Sequence, residues 1–510
     1  MQQFSFQKLV RPESGGAWVV ICALFALIFP VLLIGCSGNE ALPSGGPKEP
    51  IAAPTLTMSC PDAALANVLG PLARVWAVRV GGKVEVTTAP MAPDDQADIG
   101  VVRFADLGMW ADRTDLVPVP ANLKDAAHSY QWSGIFAVYR GEPYAGWGEE
   151  LLGLPLAGDG YVLVYRTDRF TDSQAKDDFH KQTGRPLQVP TSWEDLADVA
   201  AFFAARDKRP SLPPLPTEPG KLTELFFRVA TCYDRSSSGE TTAKGGSSKP
   251  EGLAGESLAF QFQVRDGQPR IDTLAFTTAA GWLALLRQRG CVPTDGPTDP
   301  VAALTEGRAV LAVLTLTELA RLRGAGRGVD PFGIAMLPGS RSCVSASTGL
   351  LVPSAGNYVP HFAGGWIGVV RKRCPKPEAA FDLLADLGGP VRSAEVIAAT
   401  GYGPFRDIHL DTTRPAMWYE YGFDANRTKS LQEALQGYIG KAIRNPTYGL
   451  REPDHLTLTT ALAEELKQIA AGNASPTDGM KRAAAAWSKA TAGTAPAKLA
   501  SWRRKAVGLN

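Results

Sequence analysis

Apolar and polar positions fall into distinct regimes along the chain. From Ala17 to Ile34 apolar residues run on, broken only by Pro30, behind a leader that carries Lys8 and Arg11. A weakly basic leader followed by an apolar core is the pattern of a secretory signal rather than of a folded element. Ser37 to Pro54 is rich in Ser, Gly and Pro, which is tether composition. Beyond it, short apolar runs alternate with amphipathic stretches. Pro54–Cys60 predicts a strand, Ala63–Val75 a helix, Lys83–Val86 a second strand and Ala97–Val102 a third, with a helix opening at Ala105. Strand, helix, strand at this spacing predicts a sheet of parallel strands flanked by helices. In such a sheet, loop residues at the carboxyl ends of strands meet ligands, and Arg103 and Phe104 fall there.

The alternation continues. Leu154 to Asp168 is a proline-led turn running into a strand, and Pro190–Leu196 carries a helix start. Thr191 or Ser192 can cap that helix, with Glu194 and Asp195 in its first turn, where the helix dipole favours them. A helical segment spans Leu222–Tyr233, and Phe260–Ile271 reads as a hairpin turning at Asp266-Gly267. Val310–Leu316, Phe332–Pro338 and Gly364–Val370 are strand-like, Glu378–Leu387 is an amphipathic helix, and Leu431–Trp487 is mostly helical. Two stretches break the pattern: proline-rich Asp207–Gly220, and Ser236–Ser257, rich in Ser, Gly and Thr. Neither composition builds a core, so both are expected to be surface or disordered insertions.

A chain of 510 residues exceeds one hydrophobic core, so two lobes or more are expected. With 52 basic against 51 acidic residues and no basic stripe, nucleic acid is not a partner. Five scattered histidines form no HExxH pattern, and no GxSxG or GxxxxGK[ST] segment is present. The expectation is a binding protein without enzymatic activity, cofactor or metal. Asp177-Asp178 and Glu149-Glu150 read as solvated polar faces.

Leu33-Ile34-Gly35-Cys36 resembles the lipobox of bacterial lipoproteins. The resemblance implies a signal peptide over 1–35, acylation of Cys36 and a flexible tether over 36–54, holding the chain to a bilayer at the cell envelope. The five cysteines beyond it, Cys60, Cys232, Cys291, Cys343 and Cys374, show no CxxC spacing. Disulfides and buried free thiols are both compatible with them.

The order of segments resembles extracellular solute-binding proteins of family 1, the maltose-type sugar-binding lipoproteins of ABC importers. Leu154–Asp168 is similar to that family's inter-lobe crossing, and Pro190–Leu196 to its P-x-T-W-x-E-L helix start. Glu306–Val310 is similar to its G-x-A-A-M segment, and Phe332–Pro338 to the strand after it. Gly364-Gly365-Trp366 with Pro377–Ala380 looks like the return crossing, and Ala471–Pro476 with Met480 and Trp487 like the closing helical hairpin. The resemblance implies a type II periplasmic-binding-protein fold. Each of its two lobes would be a mixed α/β sheet flanked by helices, with the ligand cleft at the hinge. The N-terminal lobe would take 55–157 plus 343–406, and the C-terminal lobe 158–340 plus 407–510. It further implies a monomer that closes on a small solute, most readily a sugar, and delivers it to ABC permease subunits. A surface carbohydrate-binding or sensory lipoprotein without a transporter, and a lipoprotein hydrolase, are the other readings.

A sugar site needs aromatic faces and planar polar groups. Asp159 matches the crossing position that faces the cleft, or is a turn former before Gly160, with Tyr161 following it. Trp366, after two glycines that would let backbone approach the ligand, is a ring stacker or a core tryptophan. Tyr402 and Arg406 flank Pro404 in a rigid loop. Arg406 and Arg103 are each either forks onto the ligand or ordinary surface arginines. Thr317 stands in the segment where maltose-type members carry an aromatic stacker, a departure that leaves the solute class open. Trp193 is expected to be structural.

Overall fold

The computed structural model describes residues 53–234, 259–296, 298–322, 331–345, 348–353, 364–411, 413, 425–439 and 449–510. The signal segment, Cys36, most of the tether and the Ser236–Ser257 insertion lie outside the described residues. Ala53–Asn510 is one compact unit with its own core.

Eight principal strands carry the fold. In chain order they are β1 (Thr55–Ser59), β2 (Lys83–Thr87), β3 (Ile99–Arg103), β4 (Gly153–Asp159), β5 (Tyr161–Arg166), β6 (Leu311–Thr315), β7 (Phe332–Ala335) and β8 (Gly364–Val370). The first sheet has the order β2-β1-β3-β8-β4. β1 is parallel to β2 and β3, as the strand–helix–strand spacing predicts, while β8 runs antiparallel between β3 and β4. The second sheet, β6-β5-β7, is antiparallel throughout. β2 alternates exposed and half-buried positions because it is an edge; β3 is buried on both faces except at Arg103.

Eight of the helices position the sheets and the segments between them: α1 (Ala63–Arg79), α2 (Trp193–Asp207), α3 (Pro219–Asp234), α4 (Leu274–Gln288), α5 (Pro377–Leu387), α6 (His455–Ala470), α7 (Pro476–Ala490) and α8 (Pro496–Ala506). α1 and α5 pack beside the first sheet, and α6 and α7 pack on α3 and α4. Of the two candidate caps for α2, Ser192 serves, its hydroxyl accepting from Asp195 N at 3.1 Å. Trp193 is fully buried, its indole donating to Cys232 Sγ at 3.4 Å with Trp282 edge-on, so it is structural.

Two sequence expectations change, and one left open is settled. The proline-rich stretch after α2 does contribute to the core: Leu212 is buried, Ser211 Oγ donates to Ala200 O at 2.7 Å, and Ser211 O accepts from Val310 N at 2.7 Å. Composition averaged over the stretch hides two leucines spaced among the prolines. The glycines before Trp366 do not open backbone to a ligand. Gly364 and Gly365 have φ of +127° and +120°, and a Cβ on either would meet Phe104 or Ala157 O within 2.4 Å. They allow β8 to press against its neighbours. The five described cysteines are all buried free thiols.

Candidate functional site

The two sheets are joined where β4 ends at Asp159 and β5 begins at Tyr161, with only Gly160 between. A second pass of the chain lies against this crossing. Gly158 N donates to Gly403 O at 3.0 Å, and Gly403 N to Gly158 O at 2.8 Å. The approach is close enough that a Cβ on Gly403 would sit 3.1 Å from Asp159 Cα. Tyr139 Oη clamps the same place, donating to Asp159 O at 2.9 Å and accepting from Asp159 N at 3.1 Å.

Asp159 is half-buried at this crossing. Its Oδ1 accepts from Gly160 N at 2.8 Å, and no ion pair to it forms among the described residues. Burial pushes its carboxyl up to about 7; the Gly160 N–H works against that, and the nearby Glu224 and Glu318 charges add to it. A carboxyl in this condition can accept protons from hydroxyls, or share its own.

On the second-sheet side, Tyr161 Oη donates to Glu224 Oε2 at 2.7 Å, and the Arg228 guanidinium lies 5.5 Å from the Tyr161 ring centroid. Burial raises the Glu224 carboxyl, opposed by Arg228, by the Tyr161 bond and by Arg103. Glu318 closes a capping box with Thr315 on the short helix Leu316–Arg321 and accepts from Lys221 Nζ at 3.2 Å. Thr317, on the same helix, has a buried Oγ1 with no hydrogen-bond partner among the described residues.

On the first-sheet side, Arg103 at the end of β3 sits opposite Trp366 in register, its guanidinium 5.5 Å from the indole centroid. Tyr402 meets Trp366 edge-on at 6.3 Å and donates to Asp62 Oδ2 at 2.8 Å. Asp62 also caps α1 through Leu65 N. Trp366 and Tyr402 are both buried within the core, and Arg103 is exposed at the end of β3.

Arg406 lies elsewhere. It is 1% exposed, and its guanidinium donates to Gly388 O at 2.7 Å, Tyr130 O at 2.9 Å and Gln131 O at 3.1 Å. Those donors are spent on backbone, so Arg406 is a clamp for the loop rather than a group free to meet a solute. Sequence reasoning missed Glu224 and Lys221. Both sit on α3, 60 and more positions from Asp159 in sequence, and no local motif marks them. Among the described residues no group of His, Cys, Asp and Glu is arranged to hold a metal ion. The crossing therefore gathers the carboxyls of Asp159, Glu224 and Glu318 near Tyr161, with Arg103 and Arg228 close by.

Comparison with known proteins agrees with that geometry. The family model for bacterial extracellular solute-binding proteins matches residues 84–418. No curated protein matches the chain. Among solved structures, the sugar-binding protein MalE from the phytopathogen Xanthomonas citri is similar at 16% identity and a TM-score of 0.64, over 86% of this chain and 98% of that one. The GacH receptor of Streptomyces glaucescens GLA.O, solved unliganded and with acarbose and an acarbose homolog, is similar at 16% identity and 0.58, with the same coverages. An ABC transporter solute-binding protein from Agrobacterium radiobacter K84, solved with ribitol, is similar at 15% identity and 0.59, over 86% and 98%. At these identities the likeness establishes the fold, the two-lobed type II arrangement with a cleft at the hinge. With two sheets meeting at Asp159 and a family match over most of its folded body, the chain belongs to the bacterial extracellular solute-binding proteins, which are binding proteins rather than enzymes.

Proposed function

We propose that the chain is a lipid-anchored capture subunit, held to the cell envelope through Cys36, that closes on a sugar or oligosaccharide and delivers it to an ABC importer. The N-terminal lobe takes 55–157 plus 343–406 and the C-terminal lobe 158–340 plus 407–510, and the chain acts as a monomer. Asp159, Tyr161, Arg103, Trp366 and Tyr402, with Glu224 added, form the solute site; Thr317 lies at its edge.

The observation that carries this reading is the state of Asp159. It is a carboxyl at the inter-sheet crossing, without an ion-pair partner among the described residues, flanked by the Tyr161–Glu224 bond. Such a group accepts hydrogen bonds from hydroxyl donors and repels an anionic solute. The structural neighbours are described with acarbose, ribitol and maltose as ligands, all polyhydroxyl molecules.

The test is a thermal-shift screen of residues 53–510 against mono- and oligosaccharides, because a ligand that binds only the folded state raises the melting temperature. At least one saccharide is expected to raise it, and the shift is expected to vanish in Asp159→Ala. A shift only with amino acids or phosphoesters would remove the sugar assignment.

A further inference from the structure

The proline-rich stretch that follows α2 roofs a cavity of about 380 Å³ inside the second-sheet half of the molecule. Its floor is apolar: Leu163, Leu196, Leu225, Trp282, Leu286 and Val313. Pro213, Pro214, Leu215 and Pro216 form the cover. The cavity has a physical origin. Three prolines in four residues lack amide donors, so after Ser211 the segment cannot continue pairing along β6. Among the described residues, no backbone hydrogen bond involves 213–217. The chain therefore stands off the sheet edge and leaves space beneath it.

Most of the charged groups around this space pair with one another. Lys221 pairs with Glu318 at 3.2 Å and Glu218 at 3.9 Å, and Asp299 with Arg321. Trp282 Nε1 donates to Trp193 O at 2.8 Å, and Tyr161 Oη to Glu224. The lining is thus divided: charged and hydroxyl groups, mostly paired with one another, stand along one part of it, and the hydrocarbon and ring surface of Leu163, Leu196, Trp282 and Leu286 forms the floor. The volume falls within the ~300–1,000 Å³ of small-molecule pockets and exceeds the ~150 Å³ that accepts a benzene. One end of the lining is Tyr161, Thr315 and Glu318, the residues that adjoin Asp159 at the crossing.

We propose that this cavity binds the apolar part of an amphipathic solute, an aryl or branched alkyl group attached to the polar head held at Asp159. The cavity belongs to the second-sheet half alone, while the identity of the head rests on the sugar reading above. The solute class is then a glycoside with an apolar aglycone rather than a plain oligosaccharide.

The experiment uses residues 53–510 and three probes: fluoroindole observed by fluorine NMR, and matched phenyl and methyl glycosides measured by calorimetry. Val313→Phe fills the floor and Leu215→Phe fills the roof, each first checked for a cooperative thermal transition. The proposal expects saturable fluoroindole binding that both variants abolish. It expects the phenyl glycoside to bind at least about tenfold tighter than the methyl glycoside, with that ratio collapsing toward one in the variants. If fluoroindole fails to bind, or binds the variants equally well, the cavity is not a site. Glycosides that bind equally with and without the aryl group also overturn it. If no glycoside binds while fluoroindole behaves as expected, the pocket stands and the sugar reading falls.

Discussion

Asp159 was legible as a position because Leu154–Asp168 resembles the family's inter-lobe crossing, though Asp159-Gly160 reads equally as a turn. Its chemistry was not legible, since that depends on Glu224 and Glu318 arriving from distant segments. Its titration gives a signed prediction. The unfolded carboxyl titrates near 3.8 and the folded one at about 7. Between those values the folded state keeps a proton that the unfolded state has lost, so Asp159 makes stability fall as pH rises toward 7. Asp159→Asn should flatten that part of the melting-temperature profile. If a saccharide hydroxyl donates to the ionised carboxylate, wild-type affinity should rise as pH passes through about 7, and the asparagine variant should lose the rise. Calorimetry across that range checks both. Arg406 was legible as an arginine beside a proline and no further. A guanidinium bound to three carbonyls and one exposed to solvent read identically in sequence, and only the fold shows which it is.

At the scale of elements, the sequence is most informative where periodicity is strong. β3, β8, α5 and the helices around Trp487 lie where the pattern puts them. The antiparallel insertion of β8 between β3 and β4 was not legible, because it joins segments more than 200 residues apart and leaves no local trace. The proline-rich stretch was misread because its few leucines were outweighed in composition. A cross-element contact gives the prediction at this scale. His455 at the start of α6 places Nε2 3.1 Å from Asp106 Oδ1, just beyond β3. Burial is the largest single influence and would lower its pKa, but the Asp106 bond and charge together with the Glu452 carbonyl and charge outweigh it, and the net shift is upward. Stability from this pair is fully present below the ordinary histidine value of 6.5 and is lost as pH rises through the raised folded value. Asp106→Asn should therefore lower the melting temperature at about pH 5.5 and have little effect at about pH 9. An equal loss at both values would mean the pair is not charged.

For the molecule as a whole, the proposed closure would turn the sheets about the few residues that link them. The paired glycines Gly158 and Gly403 hold two of these passes together by reciprocal hydrogen bonds, without side chains between them. Hinges of this kind absorb rotation in a handful of backbone angles while each packed half moves as a body. α8 bears on both ends of the arrangement: Trp502 Nε1 donates to Asp112 Oδ1 at 2.7 Å, and the Arg503 guanidinium lies 3.6 Å from the Phe262 ring centroid.

Solute capture by closure at the Asp159 crossing is tested most directly by an inter-label distance. Spin labels at Val78→Cys on α1 and Asp177→Cys, both exposed, are readily distinguished from the five buried thiols. A saccharide that raises the melting temperature should shift the label distance to one new, shorter population, and Asp159→Ala should remove the shift. A distance unchanged by a saccharide that measurably binds would contradict capture by closure at this crossing.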